Sequence, residues 1–342
     1  MKLNNLGLRV SLCVALMLAV IIGGIVYIVS VRSTELITDV ANKTARASNI
    51  ALRSKMQSLE LEALARSYII ASSYEVIDAV ENNDESALKD LVRSLGVGVD
   101  TATITDKYGN VLARKNSDQK GDSIFGQDIV AKALTTGIES SMLAKGAKVG
   151  MSTRASVAIK DLNGNIIGAV FTSHDLSNPV YVDSVKESST CEVKIFDDST
   201  RMSSTLIDEN GERVIGTKAD EAVVEAVINN RQDYTKQIHL FGRDLYAYYS
   251  PIIKDDTVIG MLFTGAPLDG TMQKRQEMLN MVLLVGIICG ALGLLLVIFL
   301  NMRAADGLHI KLDRSDKIGN EKSPVSSSTR KTKNVKRTLK RV

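Results

Sequence analysis

The sequence predicts an α+β fold: a long N-terminal stalk helix and two antiparallel-sheet modules of one kind, flanked by two transmembrane helices. Three observations carry this. The string Ile166-Ile167-Gly168-Ala169-Val170-Phe171-Thr172 returns nearly intact as Val258-Ile259-Gly260-Met261-Leu262-Phe263-Thr264. Two runs, Val10–Val31 and Leu279–Leu300, hold 22 residues each without a charge. Between Thr34 and Tyr74 neither Pro nor Gly interrupts an apolar spacing of helical period.

Each copy of the repeat follows a turn, Asp161-Leu162-Asn163-Gly164 in the first and Lys254-Asp255-Asp256-Thr257 in the second. Branched apolar runs on both sides of such a turn read as a β-hairpin. A second pair lies upstream: Ile104-Thr105-Asp106-Lys107-Tyr108-Gly109-Asn110-Val111 matches Ile207-Asp208-Glu209-Asn210-Gly211-Glu212-Arg213-Val214. Hairpin, helix, hairpin therefore occurs twice. The period of roughly 100 residues exceeds the 20–50 of a solenoid and predicts two small domains.

The apolar runs each suffice to cross about 30 Å of hydrocarbon as a helix. The first is longer than the apolar core of a signal peptide, about 7–15 residues, which favours an uncleaved anchor. Charge sets the orientation. Residues 303–342 hold 12 Lys/Arg and 4 Asp/Glu, net +8; residues 1–31 add +2, so the total of +3 leaves −7 for 32–302. Basic segments stay in the cytoplasm. The expectation is a two-pass protein of a bacterial or archaeal inner or plasma membrane, with 32–278 outside and both termini cytoplasmic.

In chain order, 1–9 is a cytoplasmic N-terminus, 10–31 the first span and 32–99 stalk helices. The first stalk helix starts at Thr34 and spans about 40 residues; Ser72-Ser73 starts a second, which Gly96 and Gly98 end. About 40 helical residues rise about 60 Å, too long for one side of a compact domain, and a second copy pairing along the stalk is the expected homodimer. A membrane-distal module at 100–175 follows. Its strands are placed at Thr101–Thr105, Asn110–Arg114, Lys148–Met151, Arg154–Lys160 and Asn165–Ser173, its helix at Gln127–Leu134. A connecting helix at 176–190 leads to a membrane-proximal module at 191–268. There, strands are expected at Glu192–Asp197, Met202–Ile207, Glu212–Ile215, Tyr234–Leu240, Asp244–Ile253 and Thr257–Ala266, with a helix at Ala219–Asn229. The second span is 279–300. Residues 303–342 read as a basic disordered cytoplasmic tail suited to anionic lipid. With no aromatic residue it offers nucleic acid nothing to stack on, and no nucleic-acid partner is expected.

Of three Cys, two lie in the apolar runs, so no disulfide framework forms and Cys191 reads as a small buried hydrophobe. The chain has no Trp, which argues against an aromatic sugar or nucleobase groove. No His-x-x-x-His, Cys-x-x-Cys or Gly-x-Ser-x-Gly occurs. No catalytic group, cofactor or metal site is expected. The Asp/Asn-rich turns lack EF-hand spacing and read as turn chemistry.

This layout resembles the extracytoplasmic half of bacterial methyl-accepting chemotaxis receptors with a double Cache (PAS-like) sensor domain. The residues that carry it are Asp106-x-x-Gly109, Asp161-x-x-Gly164, the two Ile-Gly-x-x-Phe strings, and Tyr246-Ala247-Tyr248-Tyr249-Ser250-Pro251-Ile252. The resemblance covers about residues 10–302. It implies an extracytoplasmic sensor of small-molecule ligands, not an enzyme, and allows a heterodimer with related receptors. The family's HAMP and signalling domains have no counterpart after Arg303, so the expectation is a sensor without its own output domain. An anchored binding protein or a truncated gene product that pairs with full-length receptors is the alternative.

By that resemblance the ligand sits in the distal module. Along Arg154–Lys160, Ala155, Val157 and Ile159 take one face, and Arg154, Ser156 and Lys160 the other. Arg154 can fork a carboxylate. Arg114, Ser156, Thr172 and His174 complete the candidate set, with Tyr246 and Tyr248 as a secondary pocket. The family's amino-acid signature needs a Trp that this chain lacks.

Overall fold

The computed structural model describes residues 5–146 and 150–319. The chain divides into two compact units, Val31–Gln276 and the two terminal segments. Within the larger unit, two five-stranded antiparallel sheets have one topology. The first, in order β2-β1-β5-β4-β3, comprises β1 (Thr101–Asp106), β2 (Val111–Arg114), β3 (Ser140–Lys145), β4 (Met151–Lys160) and β5 (Ile166–Asp175). The second, β7-β6-β10-β9-β8, comprises β6 (Glu192–Asp197), β7 (Thr200–Ser204), β8 (Tyr234–Leu240), β9 (Arg243–Lys254) and β10 (Thr257–Pro267). The expected α+β fold is present, and the repeated string forms the central strand of each sheet.

Helix α1 (Asn5–Ala71) buries Ala45, Leu52, Met56, Leu59, Ala63 and Ile70 at intervals of three, four or seven, one stripe along the sheets. It ends at Ala71, directly before the Ser72-Ser73 pair at which a new helix is expected, and Ser73 stands at the N-cap of the next helix. The expected second stalk helix is two, α2 (Tyr74–Glu81) and α3 (Glu85–Leu95). The break has a local cause: Asn83 takes a left-handed φ of 53°, and the Asp84 carboxylate caps α3 by accepting from the Ala87 N–H at 3.0 Å.

In the first sheet, Val157, Ile159 and Val170 pack with α2 and α3, while Ala158, Ala169 and Phe171 pack with α4 (Asp128–Thr136). A strand unforeseen in the sequence, β3, forms the edge beside β4. The strand placed at Lys148–Met151 lies outside the described residues up to 149, and Met151 opens β4. Helix α5 (Pro179–Ser189) links the modules, started by Pro179 and capped by Asn178, which accepts from the Val180 N–H.

In the second sheet, β7 begins and ends earlier than the expected Met202–Ile207. Glu212–Ile215 is no strand but makes one bridge, Ile207 to Arg213. The expected helix Ala219–Asn229 is a short α6 (Glu221–Val224) continuing as a π-helical turn, Glu225–Asn229. Val223 and Val227 seat it on Phe196, Tyr249 and Phe263. Leu52, Met56 and Leu59 of α1 meet the opposite face beside Ile195 and Leu262, together with α5.

The last helix, α7 (Asp269–Gly319), runs through the second apolar segment and on past Arg303, where the sequence reading begins a disordered tail; residues 320–342 lie outside the described residues. Stretches of α1 and α7 are long and apolar enough to cross a membrane. Within the terminal unit these stretches touch: a Cβ on Gly286 would stand 2.9 Å from Ile22 Cγ2, and one on Gly293 would stand 3.5 Å from Leu18 Cδ1. Small residues let apolar helices approach in this way.

Candidate functional site

Three turns, two in the first module and one in the second, share one Asp-centred pattern. Asp106 Oδ1 accepts from the N–H groups of Tyr108 and Asn110 at 2.8 and 2.9 Å. Asp161 repeats this with Asn163 and Asn165, both at 2.8 Å, and Asp208 with Asn210 and Glu212, both at 2.9 Å. Glycines with φ of 82°, 85° and 82° at 109, 164 and 211 close the turns, a conformation that glycine adopts without a Cβ clash. The Asn165 side chain first, then backbone N–H groups, hold the Asp161 carboxyl below its usual range. These acids are spent on their own turns.

On the α4 side of the first sheet lies a cleft of about 290 Å³, lined by Thr101, Ala102, Thr103, Arg114, Asn116, Ser117, Ile124, Gln127 and Phe171. Register builds it. Thr103 stands opposite both Arg114 and Phe171, and Phe171 opposite Ser156. Directly opposed residues share a face, so Thr103, Phe171 and Arg114 line the cleft together, and Ser156 lies on the same face next to Phe171. Arg154 opposes Ser173 on that same face.

The two arginines differ in charge balance. Arg114 donates both Nη atoms to Asp122 at 2.7 and 2.8 Å, and the hydrogen bond to that carboxylate holds its pKa above the ordinary value. Arg154 is half-buried and, among the described residues, has only neutral acceptors: Ser152 Oγ at 2.9 Å from Nε, and the cleft residue Gln127 Oε1 at 2.8 Å from Nη1. Burial pushes its pKa down. A guanidinium in this state favours an anion.

Ser156 is fully buried and donates to the Val170 carbonyl at 3.0 Å, so its hydroxyl is committed. Thr172 and His174 share a face, as alternation requires, but it is the other one. Thr172 Oγ1 donates to the Ala63 carbonyl of α1 at 2.7 Å and meets Ser67 Oγ at 2.9 Å. His174 Nδ1 meets Tyr181 Oη at 2.9 Å, and Tyr181 donates to Asp100 Oδ2 at 2.7 Å. Burial lowers the His174 pKa, and burial and Asp100 raise that of Tyr181. The candidate set thus divides: Arg114 lines the cleft, Arg154 is on the same face and bonds the cleft residue Gln127, Ser156 is buried beside Phe171, and Thr172 and His174 are behind the sheet.

Tyr246 and Tyr248 pack with Ala41, Ala45 and Cys191, between second sheet and α1. Tyr248 also donates to Asp233 Oδ2, and burial first raises its pKa to about 12. Cys191 is buried, and its thiol pKa is raised by burial.

Sequence reading missed Thr101, Thr103, Gln127 and Phe171. The alternation Thr101, Thr103, Thr105 against Ala102, Ile104 was the available signal; that β1 pairs with β5, not only with β2, was not legible.

The family model for single Cache domain 3 matches residues 174–278. No curated protein matches the chain. Similar solved structures include the sensor domain of the Vibrio cholerae histidine kinase DctB, at 12% identity, TM-score 0.42, with 69% of this chain and 98% of that one covered. The Vibrio cholerae LuxQ periplasmic domain is 12% identical with TM-score 0.41, over 66% of this chain and 99% of that one. The ligand-binding domain of the Pseudomonas fluorescens chemoreceptor CtaA, in complex with L-isoleucine, is 12% identical with TM-score 0.41, over 70% and 96%. Residues 174–278 thus fit a Cache sensor domain, in a chain whose paired sheets lie in sequence between two membrane-length apolar helices.

Proposed function

We propose that the chain is a membrane-anchored, chemoreceptor-like sensor that binds a small carboxylate outside the cytoplasmic membrane, in the cleft of its first module. The observation that carries this reading is Arg154, a half-buried guanidinium whose hydrogen bonds, among the described residues, go to neutral oxygens, one of them on the cleft residue Gln127. Arg114 is already neutralised by Asp122 and shapes the wall. Thr101, Thr103 and Asn116 add hydroxyl and amide groups, and Ile124 and Phe171 add apolar surface. A few polar groups among apolar walls is the usual make-up of a small-molecule site.

Strand β5 supplies the route outward. Phe171 faces the cleft, and the next residue, Thr172, holds α1. Ligand contact on one side of β5 shifts the α1 contact on the other, and α1 runs continuously from its apolar N-terminal stretch. The output is a small displacement of one span against the other. In this reading 32–278 is extracytoplasmic, both termini are cytoplasmic, and two copies pair along α1. The basic tail rests on anionic lipid.

Thermal unfolding of the 31–276 fragment, a compact unit, against a panel of carboxylic acids, amino acids and amines tests the reading. One group of carboxylates raises Tm, since a ligand bound only by the native state stabilises it. Arg154→Gln abolishes the shift and leaves the unliganded Tm within a few degrees. A panel with no active carboxylate, or a shift indifferent to Arg154→Gln, refutes it.

A further inference from the structure

Two buried polar atoms without partners lie on directly paired residues of the first sheet, on the side away from the cleft. His174 on β5 opposes Thr153 on β4. His174 is 1% exposed and Thr153 is fully buried. Among the described residues, His174 Nε2 and Thr153 Oγ1 have no hydrogen-bond partner. The other ring nitrogen decides which one is open to a proton. Tyr181 has a single O–H, and it donates to Asp100 Oδ2 at 2.7 Å. The Tyr181 oxygen therefore accepts from His174 Nδ1–H at 2.9 Å, which leaves the lone pair on Nε2. Asp100 Oδ2 also accepts from the Asp175 N–H at 2.9 Å.

These bonds tie together the end of β5, helix α5 and the residue before β1. Two residues back along β5, Thr172 holds α1. His174 thus stands where the first module, the linking helix and α1 meet. Charges reach its ring from each side. Glu62 and Lys55 act from α1, Asp100 from just before β1 and Lys115 from just after β2. The two acids favour the imidazolium and the two lysines oppose it, while burial, the largest influence, keeps the ring neutral. From α5 the ring meets Tyr181, on which Asp175 also acts. A proton on Nε2 would create a buried charged donor with no acceptor in place, so the surrounding elements must move to supply one.

We propose that the proton is a signal for this protein in its own right: in acid, His174 is protonated on Nε2, and the unpaired charge opens the junction of β5, α5 and α1. One N–H bond forms on Nε2, and the bonds from Nδ1 to Tyr181 and from Tyr181 to Asp100 are kept. A proton needs no cavity. The device lies behind the sheet, apart from the cleft, and does not rest on ligand binding there.

The full chain in lipid nanodiscs, in phosphate buffer free of carboxylates, tests this. The sequence has 3 His, so nitrogen NMR of ring-labelled histidine resolves each one. His174 is expected as the Nδ1–H tautomer at neutral pH, converting to imidazolium with a midpoint below 6.5. Hydrogen–deuterium exchange is followed in parallel, with labelling times scaled to the intrinsic pH dependence. It is expected to speed at least tenfold at 59–67, 96–101 and 174–185 across the same midpoint, with 234–267 unchanged. His174→Gln is expected to abolish the acceleration. Should that variant not fold, two substitutions on α1, at residues that reach solvent, decide: Lys55→Met raises both midpoints and Glu62→Gln lowers both. A ring that carries its neutral proton on Nε2, or stays neutral until the protein unfolds, overturns the proposal. So does a titration of His174 without a change in exchange, or an acceleration that survives His174→Gln or keeps its midpoint in both α1 variants.

Discussion

Gly168 and Gly260 sit at one position of two sheets, and each is there because a neighbouring carbonyl leaves no space for a Cβ. At Gly168 the added carbon would overlap the Thr105 oxygen; at Gly260, the Phe196 oxygen. Both obstacles are backbone, so relief requires strands to part. Gly168→Ala is expected to cost about 1–3 kcal/mol, the range for overpacking, read as a lowered denaturation midpoint. His174 makes the matching electrostatic prediction. Burial depresses its pKa from 6.5; Lys55 and Lys115 reinforce this, while Glu62 and Asp100 oppose it. Between the depressed value and about 6.5 the unfolded chain holds more protons than the folded one, so stability falls as pH drops through that window. His174→Gln is expected to flatten the fall in Tm between about pH 7 and 5; an unchanged slope refutes the assignment. At this scale alternation was legible and pairing was not. Alternation places Arg154 with Ser156 on one face of β4, but only register shows that Thr172 and His174 lie on the opposite side of the sheet.

Helix α1 gives the repeated string its meaning. Thr172 donates to the Ala63 carbonyl and Thr264 to the Ala45 carbonyl, at 2.7 and 2.6 Å. The acceptors are 18 residues apart, five turns of about 3.6 residues, so both modules hang from the same side of one rod. Each hook is worth about 1 kcal/mol, and sites so far apart add. Thr172→Val and Thr264→Val are each expected to lower stability by about that amount, and the double variant by about 2 kcal/mol in equilibrium unfolding. A strongly non-additive double would mean the modules are not hung independently. The other side of α1 is apolar and uncovered: Leu36, Val40, Ile50 and Leu61 are 59–65% exposed. Pairing of two copies there predicts a dimer of the full chain by sedimentation, converted to monomer by Ile50→Glu with Leu61→Glu. A monomeric wild type contradicts it. Helix existence was readable from apolar spacing, but the α2–α3 break was not, because the Asp84 cap and the Asn83 turn interrupt a pattern that apolar residues alone continue.

The whole molecule repeats one architecture with two fillings of one face. The shared Asp-x-x-Gly turns and Ile-Gly-x-x-Phe-Thr strands made the duplication legible. Those motifs serve turns, close strand approach and the α1 hooks, so they say nothing about which face is open. What differs lies beside Phe171 and Phe263: short polar residues leave a cleft in the first module, aromatic residues and Lys194 fill the second. Strand β3 escaped notice because its Ser140–Lys145 sequence carries little of the branched apolar signal that marks β4 and β5. The central claim is that a carboxylate enters the first cleft and is felt by α1 through β5. Hydrogen–deuterium exchange of the full chain, with and without the carboxylate giving the largest stabilisation, tests it most directly. Slowed exchange is expected at 101–127, 166–175 and the stretch of α1 around Ala63. Protection confined to the second module, or absent from α1, would contradict it.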